Sequence, residues 1–102
     1  MATEDLQNLW VSGWDQLTVK ALHDGDTADA MEPVMTITGP YHLFAHLESV
    51  YLGILARGTK VATNTRRVVE AANGKPVLFF ADRFDHYATQ GGDGYAAHIG
   101  GA

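Results

Sequence analysis

The sequence predicts an α+β fold that leads into α/β, on three observations. Two short runs, residues 17–22 (Leu-Thr-Val-Lys-Ala-Leu) and 34–38 (Val-Met-Thr-Ile-Thr), alternate apolar and polar positions across a turn-rich stretch. A helical pattern then runs from His42 to Asn73. After it, Val77-Leu78-Phe79-Phe80-Ala81 is apolar without alternation, the pattern of a strand covered on both faces in a parallel sheet.

The elements follow in order. Leu6, Leu9, Trp10 and Leu17 stand near helical spacing, which predicts a short amphipathic helix over residues 5–16, weakened in its second half by Gly13. Trp10 and Trp14, four apart, read as a packing stripe. Residues 23–29 (His-Asp-Gly-Asp-Thr-Ala-Asp) carry turn chemistry, so the two strands are expected to pair antiparallel. Gly39-Pro40 ends the second strand and opens a helix. Leu43, Phe44, Leu47, Val50, Tyr51, Ile54 and Leu55 keep the spacing of one buried face. Gly58 is expected to break the pattern into two helices, the second with Val61, Val68, Val69 and Ala72 inward. Asn73-Gly74 is a stop signal, and Lys75-Pro76 cannot continue the helix. Residues 89–92 read as a loop, and Asp93 as the N-cap of a last helix over 94–99.

Composition bounds the function. The chain has 102 residues, 46% hydrophobic and 19% charged, which fits a globular chain of one small domain. The absence of cysteine excludes a disulfide scaffold, a thiolate metal site and a cysteine nucleophile. A net charge of −5 weighs against general nucleic-acid binding. No apolar stretch is long enough to span a bilayer, and the acidic start Met-Ala-Thr-Glu-Asp is unlike a signal peptide, so a cytoplasmic location is expected. Charge is uneven. Residues 1–32 hold seven acids and one base, whereas residues 57–75 hold five bases (Arg57, Lys60, Arg66, Arg67, Lys75) and one acid. That division is either two solvated faces or a basic face that meets an anionic ligand or partner.

The chemical candidates cluster after residues 77–81. Ligands of α/β folds sit at the carboxyl ends of strands, and Asp82, Arg83, Asp85 and His86 fall there. Arg83 is a bidentate donor for carboxylate or phosphate, and His86 can donate, accept or shuttle a proton. The plain alternative is a local ion-pair cluster of Asp82, Arg83 and Asp85 closing the strand end. Gly91-Gly92-Asp93-Gly94 is either a phosphate cradle or a turn and cap. His42 and His46 have ligand spacing but no third partner, and read as a surface or core pair. No nucleophile–base pair can be named, so no catalytic residue is assigned. One buried strand with a helix on each side lacks the parallel neighbours such a strand needs. The chain is therefore expected to be a segment of something larger, or to complete its core by association.

Three stretches, in order, resemble the type II phosphoribosyltransferases. Residues 32–40 (Glu-Pro-Val-Met-Thr-Ile-Thr-Gly-Pro) with 44–48 (Phe-Ala-His-Leu-Glu) are similar to an "EPV(L)-x-(I/V)-x-GP…LE" pattern. Residues 61–69 (Val-Ala-Thr-Asn-Thr-Arg-Arg-Val-Val) are similar to an "(I/V)AT-x-x-(A/R)R-(I/V)V" helix, and residues 80–86 to "FGTRRAH". Among the branches, nicotinate phosphoribosyltransferase is the nearest in pattern, over roughly residues 17–102. Ala81-Asp82 stands where the pattern has Gly-Thr, and Phe84-Asp85 where it has Arg-Ala.

The resemblance implies an enzyme of NAD biosynthesis. It joins nicotinate to 5-phosphoribosyl-1-diphosphate, releasing nicotinate mononucleotide and pyrophosphate, with ATP hydrolysis coupled and Mg²⁺ accompanying the diphosphate. It implies a homodimer built from a sheet-and-helix N-terminal domain and an irregular α/β barrel. Residues 1–75 would end that N-terminal domain with its linking helices. Residues 76–102 would give the first β/α unit of the barrel. Arg83 would bind the pyridine carboxylate or a phosphate, His86 would orient Arg83 or touch the ligand, and Thr63 and Arg67 match the "AT…R" helix. The family's phosphate-accepting histidine and phosphate loop are not among these residues, so the chain alone is expected to be inactive. The quinolinate branch carries arginine after the glutamate of the "LE" helix, and Ser49 follows Glu48 here, which disfavours the dianionic substrate. A nicotinamide-using sibling and a non-catalytic α+β interaction module are the other readings.

Overall fold

The computed structural model describes residues 3–81 and 83–102; within the first helix it describes the side chains of Glu4, Gln7, Asn8 and those from Val11 onward. Leu6, Leu9 and Trp10, expected on that helix's apolar face, and Asp82, expected at the candidate site, lie outside what is described. The fold is α+β. Two compact units divide the chain, Met1–Tyr51 and Leu52–Ala102.

In the first unit, helix α1 (Thr3–Gly13) gives way to a 3-10 turn, Trp14–Gln16, rather than running on to residue 16. Trp14 thus leaves the helical stripe and is 55% exposed. Strands β1 (Thr18–Ala21) and β2 (Met35–Thr38) pair antiparallel, Thr18 opposite Thr38 and Ala21 opposite Met35. The Leu22 N–H donates to the Val34 carbonyl at 3.0 Å and extends the ladder by one rung. The connecting turn is closed by the Asp26 carboxylate, which accepts from the His23 N–H at 2.8 Å, the local chemistry expected of Asp in a turn. Met35 and Ile37 of β2 are half-buried and alternate with exposed threonines, whereas all four residues of β1 are exposed.

Residues 41–47 correct the expected helix start. They form two 3-10 turns, Tyr41–Leu43 and Ala45–Leu47, which place His42 and His46 on separate exposed turns rather than at helical spacing. Among the described residues of this unit Leu43 is the buried apolar side chain, 4% exposed. It packs against Gly13, where an added Cβ would fall 2.5 Å from a Leu43 methyl. Gly13 is therefore the residue that lets the end of α1 meet the 41–43 turn.

Helix α2 (Glu48–Ala71) is continuous, and this overturns the expected break at Gly58. A glycine inside a helix costs only about 1 kcal/mol against alanine, less than the packing of a 24-residue helix supplies. The helix stops as expected: Asn73 and Gly74 both take positive φ, 48° and 83°. The predicted apolar face is only partly covered, with Val50 55% and Ile54 70% exposed.

Two further expectations change in the second unit. Val77–Ala81 forms no strand, because no described segment pairs with it; Leu78 is 85% and Phe80 74% exposed. The last helix, α3 (Gln90–Gly100), starts earlier than residue 94, so Gly91, Gly92 and Gly94 are helical and form no phosphate-cradling loop. Asp93 lies inside the first turn rather than at the cap, which is Thr89. The core here is the seam of α3 on α2. Ala96, Ala97 and Gly100 are buried, and an added Cβ at Gly100 would fall 2.6 Å from the Ala62 carbonyl oxygen and 2.7 Å from the Thr65 Cβ. Among the described residues no helix is long and apolar enough to cross a membrane.

The same substitution on α3 should act with opposite sign at two positions. Gly100→Ala pushes a methyl into backbone and should destabilise by about 1–3 kcal/mol. Gly94→Ala meets open space and should stabilise by up to about 1 kcal/mol through helix propensity. Urea midpoints of the two variants check this.

Candidate functional site

The polar centre of the second unit is Arg57, on α2. Its Nε donates to Asp93 Oδ1 at 2.8 Å and its Nη2 to Asp93 Oδ2 at 2.7 Å, a bidentate fork on one carboxylate. The same Nη2 lies 3.1 Å from Asp85 Oδ1. Asp93 is 6% exposed, Arg57 and Asp85 roughly half, so a nearly dry carboxylate sits against a half-wet guanidinium. The Arg57 hydrogen bond holds the Asp93 carboxyl below the usual carboxylate range, against burial, which acts the other way. Hydrogen bonds to Asp93, and then to Asp85, push the Arg57 guanidinium above its ordinary value.

This pairing explains the local fold. Three glycines at residues 91, 92 and 94 disfavour a helix, yet the forked pair and the Ala96–Gly100 seam fix one there. The loop before it is equally specified. The Phe84 N–H donates to the Ala81 carbonyl at 3.1 Å and closes a four-residue turn with Arg83 at its third position. His86 then starts the 3-10 turn Tyr87–Thr89. Its Nδ1 accepts from the Ala88 N–H at 3.2 Å, and its carbonyl accepts from the Thr89 hydroxyl at 2.8 Å. The imidazole lies against the Tyr87 ring, centroids 4.4 Å apart and planes 31° apart.

A cleft of about 280 Å³ opens beside the ion pair, lined by Phe79, Phe80, Ala81, Asp85, Gln90 and Asp93. Its lining combines two phenylalanines with the two aspartates that share Arg57, a trio with one negative charge in excess. Neither Arg83 nor His86 lines it.

The four candidate binding residues are not gathered at one point. Arg83 and His86 share the exposed 83–86 loop. Thr63 and Arg67 are exposed on α2, one turn apart, while Ala62, Thr65 and Val69 of that helix meet α3. The expected local cluster of Asp82, Arg83 and Asp85 is corrected in one respect, since Asp85 pairs with Arg57 rather than with Arg83. No described residue pairs with Arg83. Sequence reasoning missed Arg57 and gave Asp93 the wrong role. The two lie 36 positions apart, and nothing in local spacing joins them. Among the described residues no group of three His, Asp or Glu side chains is placed to hold a metal ion.

Asp93 makes stability pH-dependent in a definite direction. A carboxyl held low in the folded state contributes stability above its unfolded value, near pH 4, and loses it as pH falls through the lower folded value. The thermal midpoint should therefore drop on acidification below about pH 4. Asp93→Asn should lower the midpoint at pH 7 and flatten that acid limb.

One comparison with known proteins is informative. The family model described as quinolinate phosphoribosyl transferase, N-terminal domain, matches residues 4–59, more than half of the chain. No curated protein and no solved structure matches it.

Proposed function

The chain belongs to the quinolinate phosphoribosyl transferase N-terminal domain family, and we infer from that premise that it serves phosphoribosyl transfer to a pyridine carboxylate. The observation that carries this is the match over residues 4–59, which spans both strands and the first half of α2. The ordered stretches at residues 61–69 and 80–86 extend the same resemblance past the matched region.

In this reading a pyridine nitrogen attacks the ribose carbon of 5-phosphoribosyl-1-diphosphate. The C–N bond forms as the bond to the diphosphate breaks, and pyrophosphate leaves. Positive charge develops at the ribose carbon, and the anionic partners must be held in line. Arg83, exposed at a turn and paired with no described residue, supplies a planar fork for a carboxylate or phosphate. His86, three residues on and fixed through Nδ1, keeps Nε2 for a second partner in this reading. Thr63 and Arg67 contribute from α2 at a separate place. In this reading residues 1–75 would end an N-terminal domain with its linking helices, whereas the first barrel strand expected over residues 77–81 is not formed here, where no described segment pairs with it. Activity then requires residues outside this chain, and the homodimer and cytoplasmic location belong to the same reading. In the same reading Mg²⁺ would accompany the diphosphate, and none of the residues named here is assigned to hold it.

Nicotinate with coupled ATP hydrolysis is the proposed substrate pair, because Ser49, not arginine, follows Glu48. Quinolinate is the second reading, favoured by the description of the matched family. Competition among nicotinate, quinolinate and nicotinamide in the full-length protein, with ATP present or withheld, separates them. Nicotinate should be preferred and ATP should raise turnover. In that protein Arg83→Ala should lower kcat/KM at least tenfold, about 1.4 kcal/mol, and Arg83→Lys should not restore it. A smaller loss in Arg83→Ala would remove Arg83 from the site.

A further inference from the structure

The 83–86 loop carries an internal conflict of charge. Arg83 is the basic group that the proposed function offers to an anion, and Asp85 stands two residues away on the same short loop. Such a pair can close locally, if only weakly where both groups are exposed, and a closed pair presents no net charge to an anionic ligand. In the structure it does not close. The Asp85 carboxylate is turned to Arg57 on α2, 3.1 Å from Nη2, by the same guanidinium that forks onto buried Asp93. A single cation fixed by a nearly buried carboxylate thus shares one nitrogen, Nη2, between Asp93 and Asp85.

We propose that Arg57 is a positioning residue for Arg83: by holding the Asp85 carboxylate, it keeps Asp85 off Arg83 and leaves Arg83 open to an anionic ligand. The inference rests on the reading that Arg83 meets the anionic substrate, but its mechanism is a property of the loop and can be tested without turnover. Arg57 touches no reacting atom in this account. It acts by choosing which arginine Asp85 pairs with, and the choice is set by geometry. Arg57 is anchored at both Nε and Nη2 by Asp93, whereas Arg83 stands exposed on a turn and would have to be ordered to compete.

Modification by phenylglyoxal reads this directly. The dicarbonyl must add to two guanidinium nitrogens, which a carboxylate partner blocks, and peptide mass mapping resolves each arginine. In the full chain Arg83 should react readily. In Arg57→Gln, Asp85 is released onto Arg83, and modification of Arg83 should slow about two- to fivefold, the span an exposed ion pair supports. In Arg57→Gln with Asp85→Asn the native rate should return, because the competing carboxylate is gone. A merely structural role for Arg57 would leave the double variant as altered as the single one, and that result overturns the proposal. Should Arg57→Gln fail to fold, Asp85→Asn alone decides. Its Arg83 should react at the native rate, whereas faster reaction would mean Asp85 already shields Arg83, and the proposal falls. Asp82 is the same in every variant and cancels from the comparison. If the reactivity pattern holds while Arg83→Ala leaves phosphoribosyl transfer in the full-length protein intact, the functional reading fails and the sequestration stands. If both hold, Arg57→Gln should raise KM for the anionic substrate more than it lowers kcat, and Asp85→Asn should reverse that rise.

Discussion

The contact between Arg57 and two carboxylates sets the architecture of the second unit. A carboxylate as enclosed as Asp93 is tolerated only with a partner that meets both oxygens, and the planar guanidinium does so with its Nε and Nη2. That requirement fixes how the start of α3 stands on α2. It stabilises a helical turn that contains three glycines, and through Asp85 it draws in the loop that precedes the helix. The loop's remaining groups are then settled by local bonds, the Ala81–Phe84 turn and the His86 cap.

Against this well-specified polar centre, apolar burial is thin. Among the described residues, Leu43, Ala96 and Ala97 are the buried apolar side chains, and no large side chain is fully buried. Meanwhile Leu78, Phe80 and Phe84 stand mostly exposed. A strand exists only as one member of a ladder, because its N–H and C=O groups must be paired across to a neighbour. Val77–Ala81 has the composition of a buried strand and lacks such a neighbour among the described residues, so it forms no ladder. The small seams that do form depend on close backbone approach, at Gly13 against Leu43 and at Gly100 against Ala62 and Thr65.

Membership of the phosphoribosyltransferase family is carried by residues 4–59, whereas the groups with the plainest chemistry, Arg83 and His86, lie beyond that match. The fold and the proposed site thus rest on different stretches of the chain. The basic run of residues 57–75 is divided as well. Arg57 is consumed internally by two aspartates, while Lys60, Arg67 and Lys75 face outward.

Features that depend on neighbours in sequence were legible. The alternation of residues 17–22 and 34–38 gave two strands and their antiparallel pairing, and Asn73-Gly74 gave the end of α2, because turn, pleat and cap are decided by a few adjacent residues. Features that depend on distant partners were not. Gly58 was absorbed into a continuous helix, Asp93 moved from cap to ion pair, and the apolar run at 77–81 found no ladder. Arg83 and His86 could be singled out from their chemistry alone, but that Asp85 turns away from Arg83 could not. The sequence by itself determined the kinds of element and the chemical repertoire of the 83–86 loop. Only the tertiary structure decided which arginine that loop's carboxylate meets, because the choice depends on a guanidinium held 28 positions upstream by a buried aspartate.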